Sequence, residues 1–142
     1  MRQHPFSRQG QSIVEFAFVL PLLLLLTFGI IEFGFFVYNQ QIITNAAREG
    51  ARLGIIATVP RVPATGADSI TSIVSGYCAN HLVTFGAASS PVTTVTGYAS
   101  NAAFGSNLSV KVDYSYTFLF FPILLNQSTV SSIEAVAVMR YE

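Results

Sequence analysis

From Ile13 to Val37 the chain is apolar almost throughout, broken by Glu15, Thr27 and Glu32, and this stretch constrains everything else. The 22 residues from Phe16 to Val37 reach roughly 33 Å as a helix at about 1.5 Å per residue, enough for a hydrocarbon core of about 30 Å. A helix apolar on every side is buried either in a large protein or in lipid, and 142 residues are too few to enclose it. The stretch is therefore expected to span a membrane. Arg2 and Arg8 precede it with no acid before Glu15, whereas Arg48, Arg52 and Arg61 follow it. The positive-inside count gives the leader only a narrow preference for the cytoplasm.

Charge and composition remove several function classes. Charged residues make up 10% of the chain, against about 25% in an average soluble domain. Seven basic and seven acidic residues cancel, so no net field points to nucleic acid or an acidic substrate. Cys78 is the one cysteine and cannot close an internal disulfide. It stands three residues before His81 without a second pair of ligands, so neither a metal nor another cofactor is expected. Ser, Asp and His fall in no catalytic arrangement and no glycine-rich phosphate loop follows a strand, so no catalytic residue is assigned and the chain is not read as an enzyme.

After the span the helical pattern continues through Tyr38 to about Ala57, with Pro60, Pro63 and Gly66 marking its end. Ala46, Gly50 and Gly54 recur every four residues, a stripe that lets another backbone approach closely. Asp68 is placed to cap a second helix carrying Ile70, Ile73, Val74, Tyr77 and His81 at helical spacing. Val92 to Thr96 is a β-branched run. Val110, Val112, Tyr114, Tyr116 and Phe118 alternate with polar residues as a half-buried strand. Phe120 through Leu125 form an apolar connection, with a turn at Asn126 to Ser128. Thr129 to Tyr141 is a second long strand presenting Ile133, Ala135, Ala137, Met139 and Tyr141 on one face, and it should pair antiparallel with the preceding one. The expected fold is α+β: a long N-terminal helix, transmembrane in its first half, packed on a small antiparallel sheet with a second short helix. The divisions are a leader at 1–10, a transmembrane helix half at 11–37, and a head at 38–142 that includes the rest of the long helix.

The junction of leader and span reads Arg8-Gln9-Gly10-Gln11-Ser12-Ile13-Val14-Glu15-Phe16. It resembles the type III leader of type IV pilins, which a membrane aspartic peptidase cuts after the glycine on the cytoplasmic side. Glycine offers a protease no side chain to clear and lets the backbone extend. Cleavage would leave an α-amine on Gln11 one helical turn from Glu15, where amine and carboxylate attract within a chain or between neighbours. Taken without the resemblance, Glu15 suits a first-turn acid facing the helix dipole equally well.

The resemblance extends along the chain. Gly-Gln-Ser-Ile-Val-Glu-Phe from Gly10, the leucine run after Pro21, Phe-Gly-Ile-Ile-Glu-Phe-Gly around Glu32, and Asn-Ala-Ala-Arg-Glu-Gly-Ala-Arg ending at Arg52 look like the TadE-like family. The final Ala-Val-Ala-Val-Met-Arg-Tyr-Glu is similar to that family's last strand. Members are minor pilins or pseudopilins of the tight-adherence (Tad, Flp) pilus, and the resemblance implies a pilin-like fold. It also implies a cut between Gly10 and Gln11, with Glu15 and Phe16 as the acid and aromatic of the assembly motif. The first mature residue would then be Gln11 rather than the aromatic of the best-known pilins. Implied partners are a prepilin peptidase, other pilins and minor pilins of the same pilus, the inner-membrane assembly platform and the lipid bilayer, with no nucleic acid. The implied location is a bacterial inner membrane, single-pass with the N-terminus in the cytoplasm, or an extracellular pilus.

Further residues stand open between two readings. Glu32 inside the apolar stretch costs at least about 2.5 kcal/mol near the bilayer centre, so it either contacts a partner helix or reaches water at the outer interface. Arg48, Glu49 and Arg52 are either a subunit contact or a solvated helix face. Pro21 removes one helical hydrogen bond and kinks or loosens the span, although membrane helices tolerate proline. The alternative to a pilus subunit is an uncleaved membrane-anchored adhesin or accessory protein of a surface secretion machine. A secreted protein with an ordinary signal peptide is disfavoured, because the span is long and no Ala-x-Ala site follows it.

Overall fold

The computed structural model describes residues 8–56, 66–85, 89–99, 103–120, 122 and 130–141. Helix α1 runs from Arg8 to Ile55, 48 residues with Pro21 inside, about 72 Å of continuous helix. Helix α2 covers Gly66–His81. Strands β1 (Val92–Thr96), β2 (Asn107–Thr117) and β3 (Val130–Arg140) form one antiparallel sheet in the order β1-β2-β3. This is the expected α+β arrangement. The turns expected at Pro60, Pro63 and Asn126 to Ser128 lie outside the described residues.

Period-two alternation decides which face of the sheet is covered. Leu108, Val110, Val112, Tyr114 and Tyr116 of β2 point inward and are buried, as are Ile133, Ala135 and Ala137 of β3. The intervening residues face out. There Asp113 and Glu134 stand directly opposite each other, and Lys111 bridges them at 3.4 and 3.0 Å. Hydrogen bonding to Glu134 raises the lysine pKa, with Asp113 adding to it.

The second half of α1 lies across the inward face, and the small-residue stripe lets it approach. Ala46, Gly50 and Gly54 are all buried. A Cβ on Gly50 would meet a Val74 methyl at 2.7 Å, and one on Gly54 would meet Ile70 at 2.8 Å and press on Leu108. The neighbours admitted by the stripe are therefore this chain's own side chains: those of α2 on one side, those of β2 on the other. Ala135 and Ala137 make the matching recess on β3.

Two expectations for α2 are corrected. The helix begins at Gly66, so Asp68 is a first-turn acid rather than a cap, favoured by the helix dipole. Its core face is Ile70, Val74 and Cys78, with Ile73 exposed. The hydrophobic spacing allowed either stripe, and the position of α1 selects the one containing the cysteine.

Candidate functional site

Three regions of α1 carry the candidate residues: its N-terminal end, the level of Glu32, and the exposed face near Arg48. At the N-terminal end the helix passes through Gly10 without a break. Residues 8–10, assigned from sequence to the leader, are thus in the same helix as the residues that follow. Glycine weakens a helix interior by about 1 kcal/mol relative to alanine. The first turn also contains no acid, so nothing there complements the dipole. One turn on, the Gln11 side chain donates from Nε2 to Glu15 Oε1 at 3.1 Å. Phe16 is exposed, as are Phe18, Leu22 and Ile30, and the most apolar 18-residue window has no buried side chain. This part of α1 is apolar on every side, none of its most apolar window is buried by the described residues, and by length and composition it can cross a bilayer.

Glu32, left open from the sequence between a partner contact and the outer interface, is engaged within its own chain. Its side chain is buried, and its carboxylate accepts the backbone N–H of Leu119 and of Phe120, the latter at 3.2 Å from both oxygens. Those two N–H groups follow the end of β2 at Thr117, where the sheet ladder stops. A carboxylate on a rigid helix replaces the missing strand partner. Aromatic packing surrounds the junction. Phe28 stacks on Phe120 with centroids 4.6 Å apart, while Phe36 meets Tyr116 edge-on at 5.6 Å and stacks on Phe118 at 5.5 Å. The head therefore reaches along α1 to Phe28, well inside the stretch assigned from sequence to the span.

Burial pushes the Tyr116 phenol up to about 12, with smaller contributions from Glu32 and Tyr114. Its hydroxyl is buried with no hydrogen-bond partner among the described residues.

Asn39 was not singled out in the sequence, yet it makes the second polar attachment to α1. Its amide Nδ2 donates to the Val83 carbonyl at 2.6 Å, and its Oδ1 accepts the Val83 N–H at 2.9 Å. Both backbone groups of one residue beyond α2 are satisfied by one buried side chain. Phe35 packs edge-on against Phe85 beside it, at 5.0 Å. A signal for Asn39 was present. Stepping back from Ala46 by seven residues gives Asn39 and then Glu32, the same helix face in its polar continuation.

Near the far end, Arg52 donates to Glu49 through Nε at 3.1 Å and through Nη2 at 2.9 Å. This bidentate pair is solvent-exposed, and its hydrogen bonding lowers the Glu49 pKa. Arg48 is exposed beside it. Burial raises the Cys78 thiol pKa, while His81 lies exposed and stacked on Tyr77. Among the described residues no three His, Cys, Asp or Glu side chains converge as a metal site would require.

Residues 10–52 match the family of TadE-like proteins, which links the chain to proteins associated with the Tad pilus. The match runs from Gly10 to Arg52, three residues before α1 ends; the second helix and the sheet lie outside it. No curated protein and no solved structure matches the chain.

Proposed function

We propose that this chain, TadE-like over residues 10–52, is a minor pilin or pseudopilin: a structural or assembly subunit of a tight-adherence pilus, without enzymatic activity. The observation that carries the reading is that the matched segment is one helix with two environments. Its first part is apolar and, among the described residues, unburied through its most apolar window, suited to lipid before assembly and to neighbouring subunits' helices after it. Its second part is the spine of the head, so a pull on the helix is a pull on the whole domain.

In this reading a prepilin peptidase hydrolyses the Gly10–Gln11 peptide bond, and the leader bearing Arg2 and Arg8 stays in the cytoplasm. The weak first turn supports it, because a protease needs extended backbone and this helix end unwinds at little cost. The 3.1 Å contact between Gln11 and Glu15 also supports it, since the carboxylate lies within reach of the residue that would acquire the new amine. Other pilins and the inner-membrane platform are the proposed partners, through the apolar face of α1 and the exposed Arg48, Glu49 and Arg52.

A second reading, an uncleaved anchored accessory protein, is favoured by the unbroken helix across Gly10. Intact mass and N-terminal sequencing of membrane-derived protein, with and without Gly10→Val, separate the two. Processing gives a chain starting at Gln11 that disappears in the variant. A chain retaining Arg2 and Arg8 in both leaves the accessory reading.

A further inference from the structure

The end of the head beside the first half of α1, here its tip, carries a surface that the pilus reading does not use. Phe118-Leu119-Phe120-Phe121-Pro122-Ile123-Leu124-Leu125 is an unbroken apolar run between two strands. Of the residues described there, Leu119 and Phe120 are exposed, 41% and 43%. They project beside the uncovered part of α1, where Phe120 stacks on Phe28.

Helix arithmetic fixes the level of that contact. A hydrocarbon core of about 30 Å takes about 20 residues of helix. Counted from Glu15 at the cytoplasmic boundary, the outer boundary falls near Phe35; counted from Gln11, it falls near Ile31. Phe28 lies inside the apolar layer in both cases, by roughly 4 to 10 Å, and helix tilt only deepens it. Whatever stacks on Phe28 shares its depth.

Backbone entering that layer must bring its own hydrogen-bond partners. The N–H groups of Leu119 and Phe120 have one, the Glu32 carboxylate. The acid that looks misplaced in a spanning helix thereby makes the tip's backbone compatible with lipid, and the same two donors compensate its own burial.

We propose that the tip of the head, Leu119 and Phe120, is seated in the outer leaflet of the bilayer, so that the protein holds the membrane at two points: the span and this tip. The proposal rests on α1 crossing the bilayer. Its occupant is lipid rather than a second copy, because the apolar surface is continuous with the span at the same depth in a single chain.

The test uses full-length protein in phosphatidylcholine–phosphatidylglycerol vesicles at low protein-to-lipid ratio. Variants that each add one exposed cysteine beside the buried Cys78, Leu24→Cys, Phe120→Cys and Phe104→Cys, are labelled with an environment-sensitive fluorophore, with Leu119→Cys as a second tip position. The wild type, whose Cys78 is buried, serves as the labelling blank. Quenching is read against lipids spin-labelled near the headgroup or near the chain end. The expected result is quenching at Leu24→Cys by chain-end labels, at both tip positions by headgroup-proximal labels, and at Phe104→Cys by neither. Quenching at Leu24→Cys with an unquenched tip overturns the proposal and leaves the span intact. No quenching at either position overturns both. A tip label shielded only when protein is crowded identifies a second copy as the occupant and overturns the lipid assignment.

Discussion

Replacing Glu32 by alanine removes the acceptor of two backbone donors while leaving helix propensity favourable. A buried donor left without a partner costs about 1–3 kcal/mol. Two donors give an upper range near 6 kcal/mol, but the exposed flank at Leu119 and Phe120 admits partial solvation, so a loss of about 2–4 kcal/mol is expected. Glu32→Gln is milder. Its one carbonyl oxygen still accepts both N–H groups as Oε1 does, and only the Phe120 contact through Oε2 is lost, a cost of about 1 kcal/mol. The assay is amide hydrogen exchange in detergent micelles, read at Leu119 and Phe120, together with urea unfolding followed by tyrosine emission. At about 1.4 kcal/mol per factor of ten, Glu32→Ala should speed exchange at those two amides about 30- to 700-fold. Amides of β2 around Val110 should respond only to the global loss. Exchange unchanged at Leu119 and Phe120, with stability within about 0.5 kcal/mol of wild type, would refute the assignment of Glu32 as their partner.

Asn39→Ala strands both backbone groups of Val83 and should cost about 2–3 kcal/mol, seen as a lower urea midpoint and faster exchange at the end of α2. Gly54→Ala drives a methyl onto Ile70 and Leu108, and overpacking of about 1–3 kcal/mol should outweigh the roughly 1 kcal/mol gained in helix propensity. Gly34→Ala meets nothing within 4 Å and should leave head stability equal or higher. Tyr116→Phe removes a buried hydroxyl that lacks a partner among the described residues and should leave stability equal or slightly higher near neutral pH. Because the folded Tyr116 pKa is raised to about 12 from an unfolded value near 10, the fold retains a proton that the unfolded chain releases. This contribution is complete below pH 10 and is lost as pH rises through the folded value, with a slope of about 1.4 kcal/mol per pH unit in between. Urea titrations across that window should show this part of the decline in wild type and not in Tyr116→Phe.

What the sequence offers for the candidate site is written in local patterns. The junction motif from Gly10 to Phe16 is contiguous, and a helix long and apolar enough to cross a membrane declares itself through length and hydropathy alone. The role of Glu32 was not legible. An acid in an apolar helix signals that a partner exists, but that partner is the backbone of residues 119 and 120, which have no side-chain signature as donors. Asn39 was hidden for the same reason, since its partner is the main chain of Val83. The small-residue stripe announced a close approach without naming the element that makes it.

By itself the sequence determined the elements: a long helix from its hydrophobic continuity, a second helix from its spacing, and strands from their period of two. Each depends on interactions a few residues apart, which composition and order specify directly. Only the tertiary structure decided which face of α2 is core, which side chains of α2 and β2 meet the glycines of α1, and that the head descends along the helix to Phe28. Those outcomes depend on contacts such as Glu32 with residues 87 and 88 positions away, where chain closure and packing geometry choose among partners that local pattern leaves equivalent.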